Sequence, residues 1–564
     1  MLFSIIRMAL RALFFGSIFL TIFFLFFGYS AVFPLGVTDF VFFSVIAFLF
    51  ALYRPGWAFL VFLSLLPFET ISLSPEILPF SLRPYQLLGG AILLSMGIRL
   101  MVRRLPFSLA RFRWFDVLPL VFGCGGFVSI FFASDIHGAV KQELVVLSFV
   151  ALYFLSRQFF GEARDARRVV PFLAVSAVCS VCFALWQSIR FTAGHVSFEV
   201  MPGRPNAFFP EPDWFGMFLI FSGSVALSLL FFFFERYRLK KMPEETGETK
   251  HREYFGMEGS PWWHRYFAWC SDLNTRYSGA AVLLLALVLG TLSWLGLLVT
   301  VARSAWVGGV LSILLFLKLL TLGESPWHPR EWRWKFLVQG SFLVFITLSL
   351  ALFIVWAFQL TTFNLADRAG SATSAEQRIT VSCETPRALP DTIEDVSELS
   401  AFGCRFIRLE EIPAEQSAGR FITTVLRPDP SIEARRLIGQ KTRETLRSHW
   451  LFGIGWGNIG HILGTDDRGA VLNASNAFVE AWLGGGIMSG ISFLLLWVLL
   501  PMRALRKFFA QNNDTDRIAS RTVAVFFLVS WVGGTVFNLF NSGILLGFVW
   551  VWLGSTALLD LKAK

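Results

Sequence analysis

From residue 13 onward the chain returns repeatedly to apolar stretches long enough to cross the roughly 30 Å hydrocarbon core of a bilayer, and no water-soluble fold can bury so many. They run near Leu13–Tyr29, Leu35–Leu52, Trp57–Leu73, Tyr85–Val102, Val117–Phe132, Ala139–Leu155 and Val169–Ile189. The series continues near Trp214–Phe234, Ala280–Thr300, Ala305–Leu322, Phe336–Phe358, Ala477–Leu500, Val523–Phe540 and Ile544–Leu559. Several are short or interrupted by glycine, so about 12 to 14 transmembrane helices are expected once tilt is allowed for. Only 16% of the 564 residues are charged, against roughly 25% in soluble domains. The expected fold class is an all-α polytopic membrane protein with one large extracytoplasmic loop domain.

The charges fix an orientation. With the N-terminus inside, the inner loops collect Arg54, Arg103, Arg104, Arg111, Arg113, Arg157, Arg164, Arg167 and Arg168. They also collect Arg236, Arg238, Lys240, Lys241, Arg330, Arg333, Lys335, Arg503, Arg506, Lys507, Arg517 and Arg521, and the chain ends on Lys562 and Lys564. The opposite short loops hold only Arg83, Lys141, Arg190, Arg204 and Arg303. This asymmetry places both termini in the cytoplasm of a multi-pass inner (cytoplasmic) membrane protein. It also explains the net charge of +10 without nucleic acid, for which no foldable basic module is present. The N-terminal apolar stretch outruns a signal-peptide core and meets no small-x-small cleavage site, so it reads as a retained span.

The organisation that follows is N-terminal transmembrane helices in 1–234, a cytoplasmic loop in 235–278, central helices in 279–358, an extracytoplasmic loop domain in 359–476 and C-terminal helices in 477–564. In an oxidising compartment Cys383 and Cys404, which share the long outer loop, can pair. The CSVC at Cys179 lies inside a span and reads as packing.

Three outer stretches concentrate chemistry. PGRPNAFFPEPDWFG around Arg204 combines a cation, the carboxylates Glu211 and Asp213, prolines and aromatics, the composition of a non-helical segment that survives at membrane depth only inside protein. ARSAW places Arg303 in a tight turn between two spans, where a guanidinium needs water, a partner or a substrate. HWLFGIGWGNIGHILG closes the long loop with His461 and with glycines, Gly455 among them, whose N–H groups can form an anion-holding nest. It runs on to Asn476 and the span beginning at Ala477. Upstream, EARRLIGQKTRETLRSHW reads as a basic amphipathic helix carrying Arg435 and Arg443.

Together RPNAFFPEPDWFG, ARSAW and GIGWGN with NAFVEAWLGGGIMSG, in this order and topology, resemble the O-antigen ligase and polymerase superfamily of bacterial membrane glycosyltransferases, over Arg204 to Gly490. The resemblance implies a polyprenyl-pyrophosphate-linked glycan donor and a lipid or glycan acceptor at the outer face of the bilayer, with neither cofactor nor metal. It implies that Arg204 and Arg303 hold the pyrophosphate, for which a guanidinium fork is suited by bidentate geometry and fixed charge. Arg435, Arg443, Asn476 and Gly455 are further substrate-binding candidates, and Glu211, Asp213 and His461 are candidates for the acceptor's base. One departure stands out: the family's His before the Asn matching Asn476 is Ser475 here, and serine lacks useful basicity. Two rival readings are a flippase or exporter of lipid-linked glycans and a noncatalytic membrane scaffold. The first expects pseudo-symmetric halves, which the long outer segment interrupts.

Overall fold

A computed structural model describes residues 35–77, 81–103, 109–162, 169–240, 278–322, 333–363, 365–366, 368–369, 376–386, 389–407, 411–428, 430–465, 472–510 and 514–560. The expected span at Leu13–Tyr29, most of the 235–278 loop and Cys270 lie outside the described residues.

The chain is a mostly helical, multi-pass membrane protein. Among the described residues nine helices are long and apolar enough to span a bilayer. In chain order the helices of the first half are α1 (Val37–Tyr53), α2 (Pro55–Ser64), α3 (Pro84–Met101), α4 (Val117–Ser129, flanked by single 3-10 turns), α5 (Ile136–Glu162), α6 (Val170–Thr192) and α7 (Pro212–Lys240). Then come α8 (Ser278–Thr300), α9 (Arg303–Thr321) and α10 (Trp334–Ala357). After the loop domain the chain forms α14 (Ala477–Phe509), α15 (Asp514–Phe540) and α16 (Gly547–Ser555). Each of these helices falls on an expected apolar stretch, because in lipid the helix is the conformation that satisfies every backbone group internally.

Two stretches depart from expectation. The span expected at Trp57–Leu73 is helical only to Ser64. Pro67 removes an N–H and disfavours helix at Leu66, and the chain turns into irregular backbone. The carboxylate of Glu69 then takes up the Tyr85 hydroxyl at 3.0 Å, the Gly547 N–H at 2.9 Å and the Arg83 guanidinium at 2.9 Å. At the C-terminal end, Ile544–Leu546 precede α16 as non-helical chain, so that this span is short as well.

A column of aromatic rings fills the centre. Phe122 of α4, Phe493 and Trp497 of α14, Trp550 and Trp552 of α16, and Phe221 of α7 follow one another at centroid separations of 4.9–6.0 Å. Helices approach closely where small residues face: a Cβ on Gly308 of α9 would stand 2.8 Å from the Gly533 carbonyl of α15. Close backbone contact of this kind is how helices associate where lipid is as apolar as the side chains.

The two ends of the bundle differ. One end, the loop end, gathers the described residues of 65–83, 133–135, 193–211, 301–302, the long 358–476 segment and 541–546, cross-linked by Glu69–Gly547, Arg204–Thr300 at 3.0 Å and Asn458–Asp135 at 2.8 Å. The opposite end gathers arginines into two ionic clasps. In the first, Arg157 meets Asp116 at 2.7 Å, while Arg503 and Arg113 meet Asp560 at 2.8 and 3.2 Å. In the second, Glu235 takes Arg333 at 2.6 Å and the fully buried Arg521 at 3.2 Å. The alternation of loops between ends is the one the charge pattern demands.

The long segment contains strands as well as helices. β1 (Glu376–Cys383) pairs antiparallel with β2 (Cys404–Phe406) on one side and β3 (Phe421–Pro428) on the other. Cys383 and Cys404 are register partners and are disulfide-bonded. Ile379, Val381, Leu399, Ile393 and Val425 form a small core distinct from that of the bundle. α11 (Ile412–Ser417), α12 (Pro430–His449) and α13 (Ile459–Leu463) complete the segment. α12 rests on the bundle through Ile438 and Leu446.

Candidate functional site at the loop end

The proline-rich stretch is held inside the protein. Asn206 to Phe209 are all buried. Gln187 of α6 accepts the Ala207 N–H at 2.8 Å and donates to Asn206 at 3.3 Å. The Phe208 carbonyl accepts the N–H groups of Glu69 and Thr70 at 3.1 and 3.0 Å, and its ring stacks on Phe183 at 4.5 Å. A loop without regular structure thus has its backbone satisfied by two neighbours, the condition for surviving beside lipid.

This frame aims Arg204. Its Nε donates to the Thr300 carbonyl at 3.0 Å and its Nη2 meets Asp213 Oδ1 at 2.7 Å. Its side chain retains 13% exposure. Thr300 is the last residue of α8, and Arg303 is the first of α9, so Arg204 is bonded to the turn from which Arg303 starts the next helix. That turn is tight: Val301 has a φ of +54°, a costly conformation for a β-branched residue. Arg303 is half-buried there, and no side chain caps α9, which leaves first-turn N–H groups and the positive end of the helix dipole at the same place. Five of the six described non-glycine residues with positive φ, namely Phe198, Ala207, Val301, Gln359 and Ser475, lie at this end. Backbone strain of this kind gathers at functional sites because surrounding structure must be arranged to hold it.

Carboxylates complete the cluster. Asp213, expected as a candidate base, is bound to the Arg204 guanidinium at 2.7 Å. Glu211, two residues earlier at the mouth of α7, is half-buried and within electrostatic range of Glu480. Glu480, on the first turn of α14, is 6% exposed and accepts the Ala474 N–H at 3.3 Å. Glu480 is not among the charged residues of the three chemistry-bearing stretches. Its signal was a carboxylate within one turn of Asn476 at the head of an apolar run, where any charge is costly and calls for a role.

No protein-family model matches the chain, and no curated protein matches it. The geometry therefore carries the functional argument.

The other candidates fall elsewhere at the loop end. His461 is two-thirds exposed and lies 3.8 Å from Asp135, in the turn between α4 and α5, so its contacts belong to a different cluster. Asn476 caps α14, accepting the N–H groups of Phe478 and Val479 at 3.0 and 3.1 Å, and its Nδ2 donates to the Leu539 carbonyl at 3.4 Å. Helix capping accounts for this residue without a substrate. The anion nest expected from the glycines is not available as drawn, because the Gly453 and Ile454 N–H groups donate to the His449 and Leu483 carbonyls at 2.9 and 2.8 Å. Gly455 instead lets two elements touch: at φ +82°, a Cβ there would lie 3.0 Å from Ala133 and 3.1 Å from Ala139. Arg435 and Arg443 are exposed on α12. Among the described residues no group of three His, Cys, Asp or Glu side chains is arranged to hold a metal.

Proposed function

We propose that the protein is a glycosyltransferase that displaces polyprenyl pyrophosphate from a lipid-linked glycan with an acceptor hydroxyl, at the loop end, on the extracytoplasmic face of the cytoplasmic membrane. The observation that supports the reading is that Arg204, pinned by Asp213 and the Thr300 carbonyl, is bonded to the α8–α9 turn that Arg303 borders. Two guanidinium groups and an uncapped helix start are suited to a pyrophosphate, whose negative charge grows as the glycosidic bond breaks. The acceptor oxygen forms the new bond to the anomeric carbon. The carbon–oxygen bond to phosphate breaks, the pyrophosphate leaves on its polyprenyl chain, and the hydroxyl proton passes to a carboxylate. Glu211 is the proposed acceptor of that proton, with Glu480 beside it, which supplies the function that Ser475 cannot. A disulfide in the long segment and the arginine clasps at the opposite end support an extracytoplasmic placement of the loop end.

The clasps also weigh against a flippase. They tie α4, α5 and α14 to the C-terminal turn, and α7 to α10 and α15, where a transport path would have to open.

Deleting the gene and analysing envelope glycans tests the reading. A polyprenyl-linked glycan is expected to accumulate, to be consumed again when the wild-type chain is restored, and to persist when Arg303→Ala is restored at equal membrane abundance. Consumption by Arg303→Ala at the wild-type level would remove the arginine from the mechanism.

A further inference from the structure

α12 presents an outward face rich in cations, with Leu437 exposed beside them. Arg435, Arg436, Arg443 and Arg447 are exposed, whereas Ile438, Thr442 and Leu446 turn inward on the bundle. Glu444 is the one exposed carboxylate on that face among the described side chains, and its Oε1 accepts from Gln440 at 3.0 Å. None of the four arginines has a carboxylate within ion-pairing distance among the described residues. Four exposed guanidinium groups on one helix repel each other unless an anionic surface receives them.

The end of the helix shows where that surface lies. Immediately after α12 come Trp450, Leu451 and Phe452, exposed at 52%, 40% and 39%. These residues are wedged against the interior of a span: the Trp450 carbonyl accepts from Trp482 Nε1 at 2.7 Å, and the Leu451 carbonyl accepts the Ile487 N–H at 3.1 Å. Trp482 and Ile487 lie within α14, past its first turn. Gly485 and Gly486 break that helix to make room, and a Cβ on Gly486 would stand 2.3 Å from the Leu451 oxygen. Phe452 stacks on Phe132 at 4.2 Å, and Phe131 beside it is 74% exposed. The aromatic end of α12 therefore sits beside exposed apolar residues at the ends of apolar helices, with Arg447 three residues away and Arg443 a turn beyond. An aromatic anchor adjoining a basic face is the composition of an interfacial helix.

We propose that the basic face of α12 docks on the anionic phospholipid headgroups of the bilayer surface at the loop end, holding the loop domain down on the membrane. This assigns Arg435 and Arg443 to lipid, not to the glycan carrier, and it stands whether or not the chain is a transferase. Charge complementarity and the bonding of residues 450–451 to an apolar helix, α14, select a lipid surface as the partner.

Gly439 supplies the probe. It is exposed, shares the face of Arg435, Arg436 and Arg443, and has nothing within 4 Å of an added Cβ. The full chain carrying Gly439→Cys, with its unpaired cysteines replaced by alanine, is placed in nanodiscs of phosphatidylcholine alone or mixed with phosphatidylglycerol. Labelling by a water-soluble maleimide is then timed. Phosphatidylglycerol is expected to slow labelling about fivefold or more, roughly what the attraction of one cation to an anionic surface supplies. High salt is expected to restore the fast rate through screening. Joint Arg435→Glu, Arg436→Glu, Arg443→Glu and Arg447→Glu substitutions are expected to abolish the lipid effect. The salt arm needs no charge-reversed variant, so misfolding of the fourfold glutamate variant does not blunt the test. Equal labelling rates in the two membranes, or slowing only on addition of a polyprenyl-pyrophosphate glycan, would overturn the proposal.

Discussion

Arg204 is the most thoroughly built side chain at the loop end, and its carboxylate partner decides how well it is aimed. Asp213→Asn keeps the size and removes the charge from a 2.7 Å bond. A hydrogen bond to a charged group contributes about 1.5–3 kcal/mol, so transfer is expected to fall about 10- to 100-fold as kcat/KM, with insertion unchanged; this is checked by steady-state kinetics on membranes. Glu211→Gln is expected to lower kcat more than KM, because a base acts in the transition state and not in binding. At this scale the sequence was legible where charge contradicts its surroundings. Arg303 stood directly after an apolar run and Arg204 inside a proline-rich loop, and both proved to border one turn. The Arg204–Asp213 bond was not legible, since a carboxylate nine residues from an arginine reads equally as a base or as a partner until the loop's path is known. Gly455 misled for a similar reason: positive φ serves an anion nest and a close backbone crossing alike.

Among elements, the apolar helices were readable because hydrocarbon leaves the backbone a single economical solution. The three-stranded sheet was not read. Its two longer strands, EQRITVSC and FITTVLRP, show the β-branched alternation of half-buried strands, but each is short and lies in a polar segment where a solvated loop was the simpler expectation. Its chemistry gives a pH dependence. The Ser382 hydroxyl at 2.6 Å and the Arg405 guanidinium hold the Glu415 carboxyl below its ordinary value of 4.5. A lowered folded-state value means that the group's stabilisation is complete above about pH 4.5 and is lost as pH falls through the lower folded value. Proteolysis of the loop domain in the full chain is therefore expected to accelerate on acidification below that point, and Glu415→Gln is expected to flatten this dependence. The kink in α14 offers a second check at this scale. Gly486→Ala forces a residue with φ +66° to carry a Cβ against the Leu451 carbonyl, and it is expected to lower the melting temperature in detergent by several degrees, since backbone strain alone costs about 1–3 kcal/mol.

Over the whole molecule, the described loops alternate between two ends, and the arginine clasps lie at the end opposite the long segment. The clasps were not legible, because Asp116 and Asp560 are far apart in sequence and meet Arg157 and Arg503 only once the helices pack. Asp560→Asn leaves three guanidinium groups with one fewer carboxylate. Asp560 is half-buried, so the cost is expected to fall below the roughly 3–5 kcal/mol of breaking a fully buried pair, and a loss of thermal stability with retained insertion is expected, read by thermal denaturation in detergent. The central claim concerns the other end, where two arginines from separate turns are proposed to grip one pyrophosphate. The most direct measurement uses purified protein in vesicles supplied with a polyprenyl-pyrophosphate glycan and an acceptor, following release of the polyprenyl pyrophosphate for the wild type, Arg204→Ala and Arg303→Ala. The account predicts release by the wild type and loss of it in both variants while each remains inserted. Release by either variant at the wild-type rate would contradict it.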